Sequence, residues 1–482
     1  MQELNAVLLN SSTAFSYLQR KEYVVLLIGS GICNGRSENI WKNNFRFYIP
    51  LRDERRILMI NVTTSDLMMV AGSFGLKMEY SVRFGLKLKD EVNSEMLSRA
   101  VEKTQQRYPY LSLRMYQNET DYYYESNPLP IVIHHTDERV SLNTAESNYH
   151  IWSVSYNEDR LYLDISHGVT DGTAMYMVLS TLLFYYCNER YGVTDSTEIR
   201  TLEDEITLDE TIDPYDLVPM LDPSQMPKVG LDPAFSLAED TDLTPCEPLV
   251  CDVELPEKEF VDFCFANEAS PGSMVCVLFA RALERLYPQR NRDIRNSYIV
   301  NARPMFGSKT HHNCVQTIRY AYSKELLALL LNEQCAAHRK VTAEQSSPQY
   351  VHGAAAVSAS RIKIVKQMAP TVEAKKQAYA KMLDGGKRLF TYMVSYIGQW
   401  KQTQLSPYVL ELWTHVPNAN NLLTEIAAIN GKVFLSIHRN FKEDDVIKAF
   451  LAQLDENGIA YNVKGTEQVD NAFLPEPESS DI

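Results

Sequence analysis

Hydrophobic and polar residues first alternate clearly near Met78, where MEYSVRFGLKL is typical of a half-buried strand. Asn93 or Ser94 then starts an amphipathic helix that runs to about Arg107. LSLRMYQ and DYYYES predict two more strands, and IWSVSY and RLYLDIS predict a hairpin. The hairpin leads into a helix that is apolar nearly all round, from about Gly172, so we expect that helix to be buried between layers.

Composition along the chain indicates five regions. Residues 1–74 lack sustained periodicity and are expected to be a poorly defined extension, whereas 75–195 carry the pattern of a folded unit. Residues 196–247 are rich in Asp, Glu and Pro, which is typical of a linker or surface crossover. A second folded unit is predicted over 248–463, and an acidic, disordered tail over 464–482.

The second unit repeats the first in outline, with mixed helices and strands. LVCDVEL predicts a strand, two helices follow, and NSYIVNARPMF predicts another strand. Helical tracts are expected near Lys324–Arg339 and Ala354–Leu383, before a group of alternating strands. Asn430-Gly431 between the last two of these strands indicates a hairpin turn of type I′. Each half therefore predicts an α/β unit with an antiparallel or mixed sheet.

Charge and cysteine content narrow the classes of function. The chain has 482 residues, a net charge of -15 and a pI near 5.2, which argue against nucleic-acid or anionic-membrane partners. None of its eight cysteines forms a CxxC pair, so we expect reduced thiols, no metal site and a cytoplasmic protein.

Neither a membrane span nor a nucleotide cradle is predicted. No apolar run reaches the roughly 18 residues that a span requires. YVVLLIGSGI at 23–32 is expected to be a buried strand or a poorly ordered leader rather than an export signal. The sequence contains no phosphate-binding glycine motif after a strand.

The chemistry-bearing motif is HGVTDG, at the predicted junction between the hairpin and the apolar helix. His167 offers an imidazole that can accept a proton, Asp171 a carboxylate, and Gly172 a backbone that permits close approach. This combination suits removal of a proton from a hydroxyl or amine that attacks a thioester. The simpler interpretation is a polar histidine at a strand end followed by a helix N-cap and a turn.

HGVTDG resembles the HHxxxDG signature of the condensation-domain superfamily. That group includes condensation domains of peptide synthetases and alcohol acetyltransferases, and its fold is related to chloramphenicol acetyltransferase. Three later segments resemble further family elements in the right order, over roughly 75–460 of this chain: Asn301-Ala302-Arg303-Pro304, His312-Asn313 and Ser395-Tyr396-Ile397-Gly398. The resemblance implies two acetyltransferase-like subdomains, 75–195 and 248–463, in a V-shaped pseudo-dimer.

The resemblance also implies a mechanism. His167 would be the general base, without a resident cofactor or an acyl-enzyme. The donor would be an acyl-CoA or a phosphopantetheinyl carrier protein, and the acceptor a small alcohol or amine. Asp171 would pair with Arg303 and hold the loop, and Gly172 would open the helix. The remaining residues assigned to the substrate channel are Ser166, Val169, Thr170, Asn313, Ser395 and Gly398.

Departures from the family pattern leave alternatives open. Ser166 replaces the first histidine of the signature, which favours a free-standing O- or N-acyltransferase over a peptide-forming domain. A catalytically inactive module that binds a carrier protein or a lipid-like ligand is the second hypothesis. A trimer like chloramphenicol acetyltransferase is the third, but a pseudo-dimer in one chain makes a monomer the expectation. The other histidine pairs, His134-His135 and His311-His312, are expected to be surface or structural residues.

Overall fold

A computed structural model describes residues 59–76, 81–222, 224, 232–416 and 422–469. It also gives the backbone of four earlier strands in one antiparallel sheet, β1 (Asn5–Leu8), β2 (Thr13–Arg20), β3 (Tyr23–Ser30) and β4 (Phe45–Pro50). The backbone of β3 agrees with the strand interpretation of YVVLLIGSGI, whereas the burial of that segment lies outside the described residues.

From residue 59 onward, the described part of the N-terminal half combines a five-stranded sheet, a three-stranded sheet and three α-helices. Its elements are β5 (Met59–Asn61), α1 (Thr64–Leu76), β6 (Ser81–Leu88), α2 (Ser94–Arg107), β7 (Leu113–Gln117), β8 (Tyr122–Ser126), β9 (Ile133–His135), β10 (Trp152–Asn157), β11 (Arg160–Ser166) and α3 (Gly172–Tyr191).

The predicted hairpin and apolar helix form the centre of this half. Strands β10 and β11 pair antiparallel, and Leu161, Leu163 and Ile165 of β11 are fully buried on one face. Helix α3 buries residues on all sides, as its nearly uniform apolar sequence predicts, and ends at Gly192 with a φ of 73°. A short loop therefore connects the buried strand β11 to helix α3, which is itself buried in the core.

The C-terminal half is built on a seven-stranded mixed sheet of order β14-β13-β15-β17-β18-β12-β19. Its elements, together with the strand β16, are β12 (Pro245–Pro256), α4 (Glu257–Ala266), α5 (Pro271–Leu286), β13 (Ile294–Asn301), α6 (Arg303–Phe306), β14 (Val315–Tyr322), α7 (Lys324–Leu327), α8 (Leu331–Gln345), α9 (Pro348–Met368), α10 (Val372–Lys387), β15 (Tyr392–Gln399), β16 (Val409–His415), β17 (Leu422–Ile429), β18 (Lys432–Phe441), α11 (Asp445–Glu456) and β19 (Asn462–Gln468).

Two elements tie the halves together. Strand β16 leaves the C-terminal half and pairs antiparallel with β6, so it becomes an edge strand of the N-terminal sheet. Helix α10 packs against α1 of the N-terminal half. As a result, the N-terminal core also contains apolar side chains from the second half, including Tyr379, Trp400 and Trp413.

Several local expectations are corrected. Ordered structure begins before Met78, because α1 packs against α10. The tail that is predicted to be disordered over 464–482 begins inside β19, which runs to Gln468 and pairs with β12. Arg303 does not lie on a strand but opens the short helix α6.

The helical tracts and the acidic crossover also differ in detail from their predictions. The two expected tracts are the four helices α7 to α10, which break before Leu331, Pro348 and Val372. In the crossover, Glu210 is fully buried and forms an ion pair with Arg107, so this part of the acidic run is not solvated surface. A charge run alone could not reveal a buried partner that lies 103 residues away.

Candidate active site

His167 lies in the loop between β11 and α3, and it is half-buried. Its Nδ1 lies 2.9 Å from the backbone oxygen of Thr170. A carbonyl oxygen can only accept a hydrogen bond, so Nδ1 must carry the proton. In the neutral imidazole the lone pair is then on Nε2. The loop therefore sets both the tautomer and the orientation of the imidazole.

Asp171 is the N-cap of α3 and is 1% exposed. Its Oδ1 accepts a hydrogen bond from the backbone N–H of Ala174 at 3.2 Å. Its Oδ2 accepts from Arg303 Nη1 at 2.9 Å and from the backbone N–H of Cys314 at 2.8 Å. Both interpretations of this aspartate, the helix cap and the ion pair with Arg303, therefore hold at once.

Arg303 joins the His167 loop to the C-terminal half. Besides Asp171, its guanidinium donates from Nε to the carbonyl oxygen of Thr310 at 2.7 Å and from Nη2 to that of His312 at 2.9 Å. The side chain is 4% exposed. A planar guanidinium with several fixed donors can hold a carboxylate and two carbonyls together, which an ammonium group does not do in the same geometry.

A second buried carboxylate, Asp66 in the first turn of α1, supports the same loop through Asn313. Asn313 donates from Nδ2 to Asp66 Oδ1 at 2.8 Å and to the carbonyl oxygen of His167 at 2.9 Å. Asp66 also accepts from His312 Nδ1 at 2.7 Å and from the Thr63 hydroxyl at 2.6 Å. The backbone of His167 is thus connected through one amide to a fully buried acid.

Asp66 and His312 each stabilise the charged form of the other. Burial opposes the charge on Asp66, but the His312 charge and the hydrogen bonds from His312, Thr63 and Asn313 outweigh burial and lower the pKa of Asp66. Burial likewise opposes the charge on His312, yet Asp66 outweighs it and raises the pKa of His312. The pairing therefore favours a charged histidine against a charged aspartate.

Sequence reasoning missed Asp66 because it placed residues 1–74 outside the folded units. A signal was present: Thr63-Thr64-Ser65-Asp66 precedes the apolar run LMMVA, a pattern typical of a helix N-terminus. The long-range partner of Asp66 carried no comparable signal, since Asn313 lies 247 residues further along the chain.

Strand β15 approaches the start of α3 from the C-terminal half. A Cβ built on Gly172 would lie 3.1 Å from the Ile397 side chain, so the glycine permits a close approach. Gly398 has a φ of 116°, a backbone conformation that favours glycine, at an irregularity in the pairing of β15 with β17. Ser395 hydrogen-bonds to the buried carboxyl group of Glu425 on β17.

The other residues predicted for the channel lie inside the N-terminal half. Ser166, Val169 and Thr170 are each at most 2% exposed, and Val169 belongs to the N-terminal core. The structure brings Asn313 to His167 and Ile397 to Gly172, so segments from both halves meet at this loop. No group of three or more potential metal ligands occurs among the described residues.

Comparisons with known proteins find relatives by structure but not by sequence. No family model and no curated protein matches the chain. TRI101 of F. graminearum, crystallised with Coenzyme A and T-2 mycotoxin, is similar at a TM-score of 0.57 and 11% identity over 85% of this chain and 100% of that one. Polyketide synthase associated protein 5 of Mycobacterium tuberculosis is similar at 0.55 and 10% identity, over 82% and 98%.

The first condensation domain of the calcium-dependent antibiotic synthetase, in complex with a substrate analogue, is similar at a TM-score of 0.55 and 13% identity over 85% of this chain and 99% of that one. These neighbours confirm the predicted fold: the chain has the fold of the condensation and chloramphenicol acetyltransferase-like superfamily.

In the described residues, no single helix is long and apolar enough to cross a bilayer, although the bent pair α4 and α5 passes that test when taken together.

Proposed function

We propose that this protein is an acyltransferase that moves an acyl group from a thioester to a hydroxyl or amine. The observation that carries the proposal is the hydrogen bond from His167 Nδ1 to the Thr170 carbonyl, which leaves the basic lone pair on Nε2. Asp171, Arg303, Asn313 and Asp66 hold this loop from both halves of the chain. A general base must be held in a fixed position, and these contacts would fix the loop that carries His167.

In the proposed reaction, His167 Nε2 accepts the proton of the acceptor while the acceptor's oxygen or nitrogen bonds to the thioester carbonyl carbon. The tetrahedral intermediate then collapses, the carbon–sulfur bond breaks, and the imidazolium returns its proton to the leaving thiolate. No enzyme nucleophile takes part, so no acyl-enzyme forms. General-base catalysis of this kind supplies roughly 10²- to 10⁴-fold in rate.

The donor proposed first is an acyl-CoA. Structures of TRI101, a neighbour in fold, contain Coenzyme A together with T-2 or deoxynivalenol, so the same fold accommodates a CoA thiol and a small acceptor. A carrier-protein thioester presents the same phosphopantetheine arm and is the second donor class. We propose O- or N-acyl transfer rather than peptide-bond formation, because Ser166 replaces the first histidine of the peptide-forming signature.

The test is acceptor-dependent release of CoA from acetyl-CoA and longer acyl-CoAs, with a panel of alcohols and amines. We expect His167→Ala to lower the rate by roughly 10²- to 10⁴-fold. His135→Ala is the matched control, because this exposed histidine stacks on Tyr156 in the same half, away from the loop. Equal release by wild type and His167→Ala would reject the enzyme and favour the inactive binding module.

A further inference from the structure

A single glutamate stands out on the face of β17 that packs against the N-terminal half. Leu423, Ala427 and Ile429 on this face all belong to the N-terminal core. Glu425 lies between Leu423 and Ala427 on the same face, and it is 8% exposed. Its neighbours across the adjacent strands are two hydroxyl residues, Ser395 on β15 and Ser436 on β18. The carboxyl group is therefore placed at the junction of the two halves, among neutral side chains.

Helix α3 places one aromatic side chain, Tyr176, near this carboxyl group. Tyr176 follows Gly172 by one helical turn and interacts electrostatically with Glu425. Its ring packs edge-on against Trp400 at 5.5 Å between centroids and contacts Phe84 at 5.1 Å. Within the described residues, the buried Tyr176 hydroxyl and the indole N–H of Trp400, a residue only 4% exposed, have no hydrogen-bond partner.

Glu425 also lacks a cationic partner among the described residues. None of the ion pairs there includes it, and the nearest acid on the same sheet face, Asp252 on β12, is already paired with His415. Burial is the main cause that raises the pKa of Glu425, to about 7. A buried carboxylate without a cation is unfavourable, and a bound cation would offset much of its desolvation.

We propose that Glu425 binds an ammonium group of the acceptor substrate. This inference rests on the proposed acyl transfer and names the acceptor class. A carboxylate beside aromatic rings is suited to an ammonium ion, which gains a charge-assisted hydrogen bond together with cation–π attraction. Gly172 and Tyr176 are four residues apart, which is about 6 Å along α3. The acceptor therefore carries its ammonium several ångströms from the reacting group, as in an amino alcohol or a diamine.

The binding test compares 4-aminobutan-1-ol with butane-1,4-diol, which match in length and differ in charge. We expect wild type to bind the amino alcohol about tenfold to a hundredfold more tightly, as for a hydrogen bond to a charged group. Glu425→Gln should bind the two probes equally, whereas Glu425→Asp should retain part of the preference. Glu259→Gln, on the exposed side of α4, is the control that should behave like wild type. Calorimetry measures each affinity, and thermal melting shows that each variant is folded.

The outcomes separate this inference from the proposed function, because binding needs no turnover. Equal affinity of wild type for the two probes overturns the ammonium site, whatever the acyl-transfer assay gives. If Glu425→Gln lowers the affinity for both probes by the same factor, the ammonium site is also overturned, because Glu425 would then have only a structural role. A preference for the amino alcohol that disappears only in Glu425→Gln supports the ammonium site. The same preference should then appear in KM for the acceptor rather than in kcat.

Discussion

Asp171 and Arg303 form a buried ion pair at the point where the two halves meet. Asp171 is 1% and Arg303 4% exposed, and each makes additional hydrogen bonds to backbone groups. The pair therefore connects the loop that carries His167 to the C-terminal half. Its effect on activity is expected to follow from the loop geometry.

Removing one member of this pair should destabilise the protein. Asp171→Asn and Arg303→Ala each leave a buried, uncompensated charge, which costs about 3 to 5 kcal/mol. Chemical denaturation should therefore show a lower free energy of unfolding for both variants, together with slower acyl transfer. Lys258→Ala is the control, because its pair with Asp262 is 88% and 64% exposed and such exposed pairs contribute little to stability. Variants at Asp171 and Arg303 that melt like wild type would show that the ion pair does not stabilise the loop.

The raised pKa of Glu425 should make the free energy of unfolding depend on pH. Its pKa is raised from 4.5 to about 7, chiefly by burial, so the folded state favours the protonated form. The unfolded state releases this proton first as the pH rises, and the contribution of Glu425 to stability is therefore lost between about pH 4.5 and 7. The nearby phenols of Tyr176 and Tyr396 have raised pKa values and stay neutral over this range.

The measurement compares the unfolding free energy of wild type and Glu425→Gln at pH 5 and at pH 8. Groups other than Glu425 largely cancel in the difference between the two proteins. We expect Glu425→Gln to gain stability relative to wild type at pH 8, by as much as about 3 kcal/mol for a shift of this size. A difference that stays the same at both pH values would mean that Glu425 is ionised in the folded protein throughout.

The sequence allowed only part of this site to be predicted. His167, Asp171 and Gly172 are contiguous in one motif, and the resemblance pointed to Arg303. Asp66 and Glu425 could not be found in the same way, because each acts through partners on distant strands or helices. An isolated acidic residue in an apolar run signals burial, but it does not reveal what it faces.

Helix α1 shows how one element connects the start of the chain to the site. It contributes Asp66 at its first turn, and its glycines allow it to pack closely on α10. A Cβ on Gly72 would overlap the Leu383 side chain, and a Cβ on Gly75 would overlap the backbone of Lys376. Strands and helices with strong periodicity were predicted well, whereas α1 was missed because its apolar residues do not form one clear stripe.

Gly75→Ala should weaken the packing of α1 on α10. The new methyl group would overlap the backbone carbonyl of Lys376, and overpacking of this kind costs about 1 to 3 kcal/mol. The displaced helix carries Asp66, so acyl transfer should fall as well. Gly353→Ala in α9 is the matched control, since nothing lies within 4 Å of its new Cβ and alanine favours a helix by about 0.5 to 1 kcal/mol. Thermal melting of both variants tests this, and equal melting temperatures would contradict the close packing.

At the scale of the whole molecule, the site exists only because the two halves interpenetrate. The C-terminal strand β16 completes the N-terminal sheet, and Arg303 and Asn313 from the C-terminal half hold the His167 loop of the other. The sequence predicted two α/β units, but it could not predict the exchange of β16, since strand pairing across more than 300 residues leaves no local pattern. Segments from both halves therefore meet at the His167 loop.

A single-turnover experiment is the most direct test of acyl transfer at this loop without an acyl-enzyme. Enzyme in excess over acyl-CoA is mixed with acceptor, and mass spectrometry follows the acylated acceptor and the intact protein together. We predict that acylated acceptor forms in one phase, that the protein never gains the acyl mass, and that His167→Ala abolishes the phase. An acylated protein that forms before the product, in wild type and in His167→Ala alike, would contradict general-base transfer by His167.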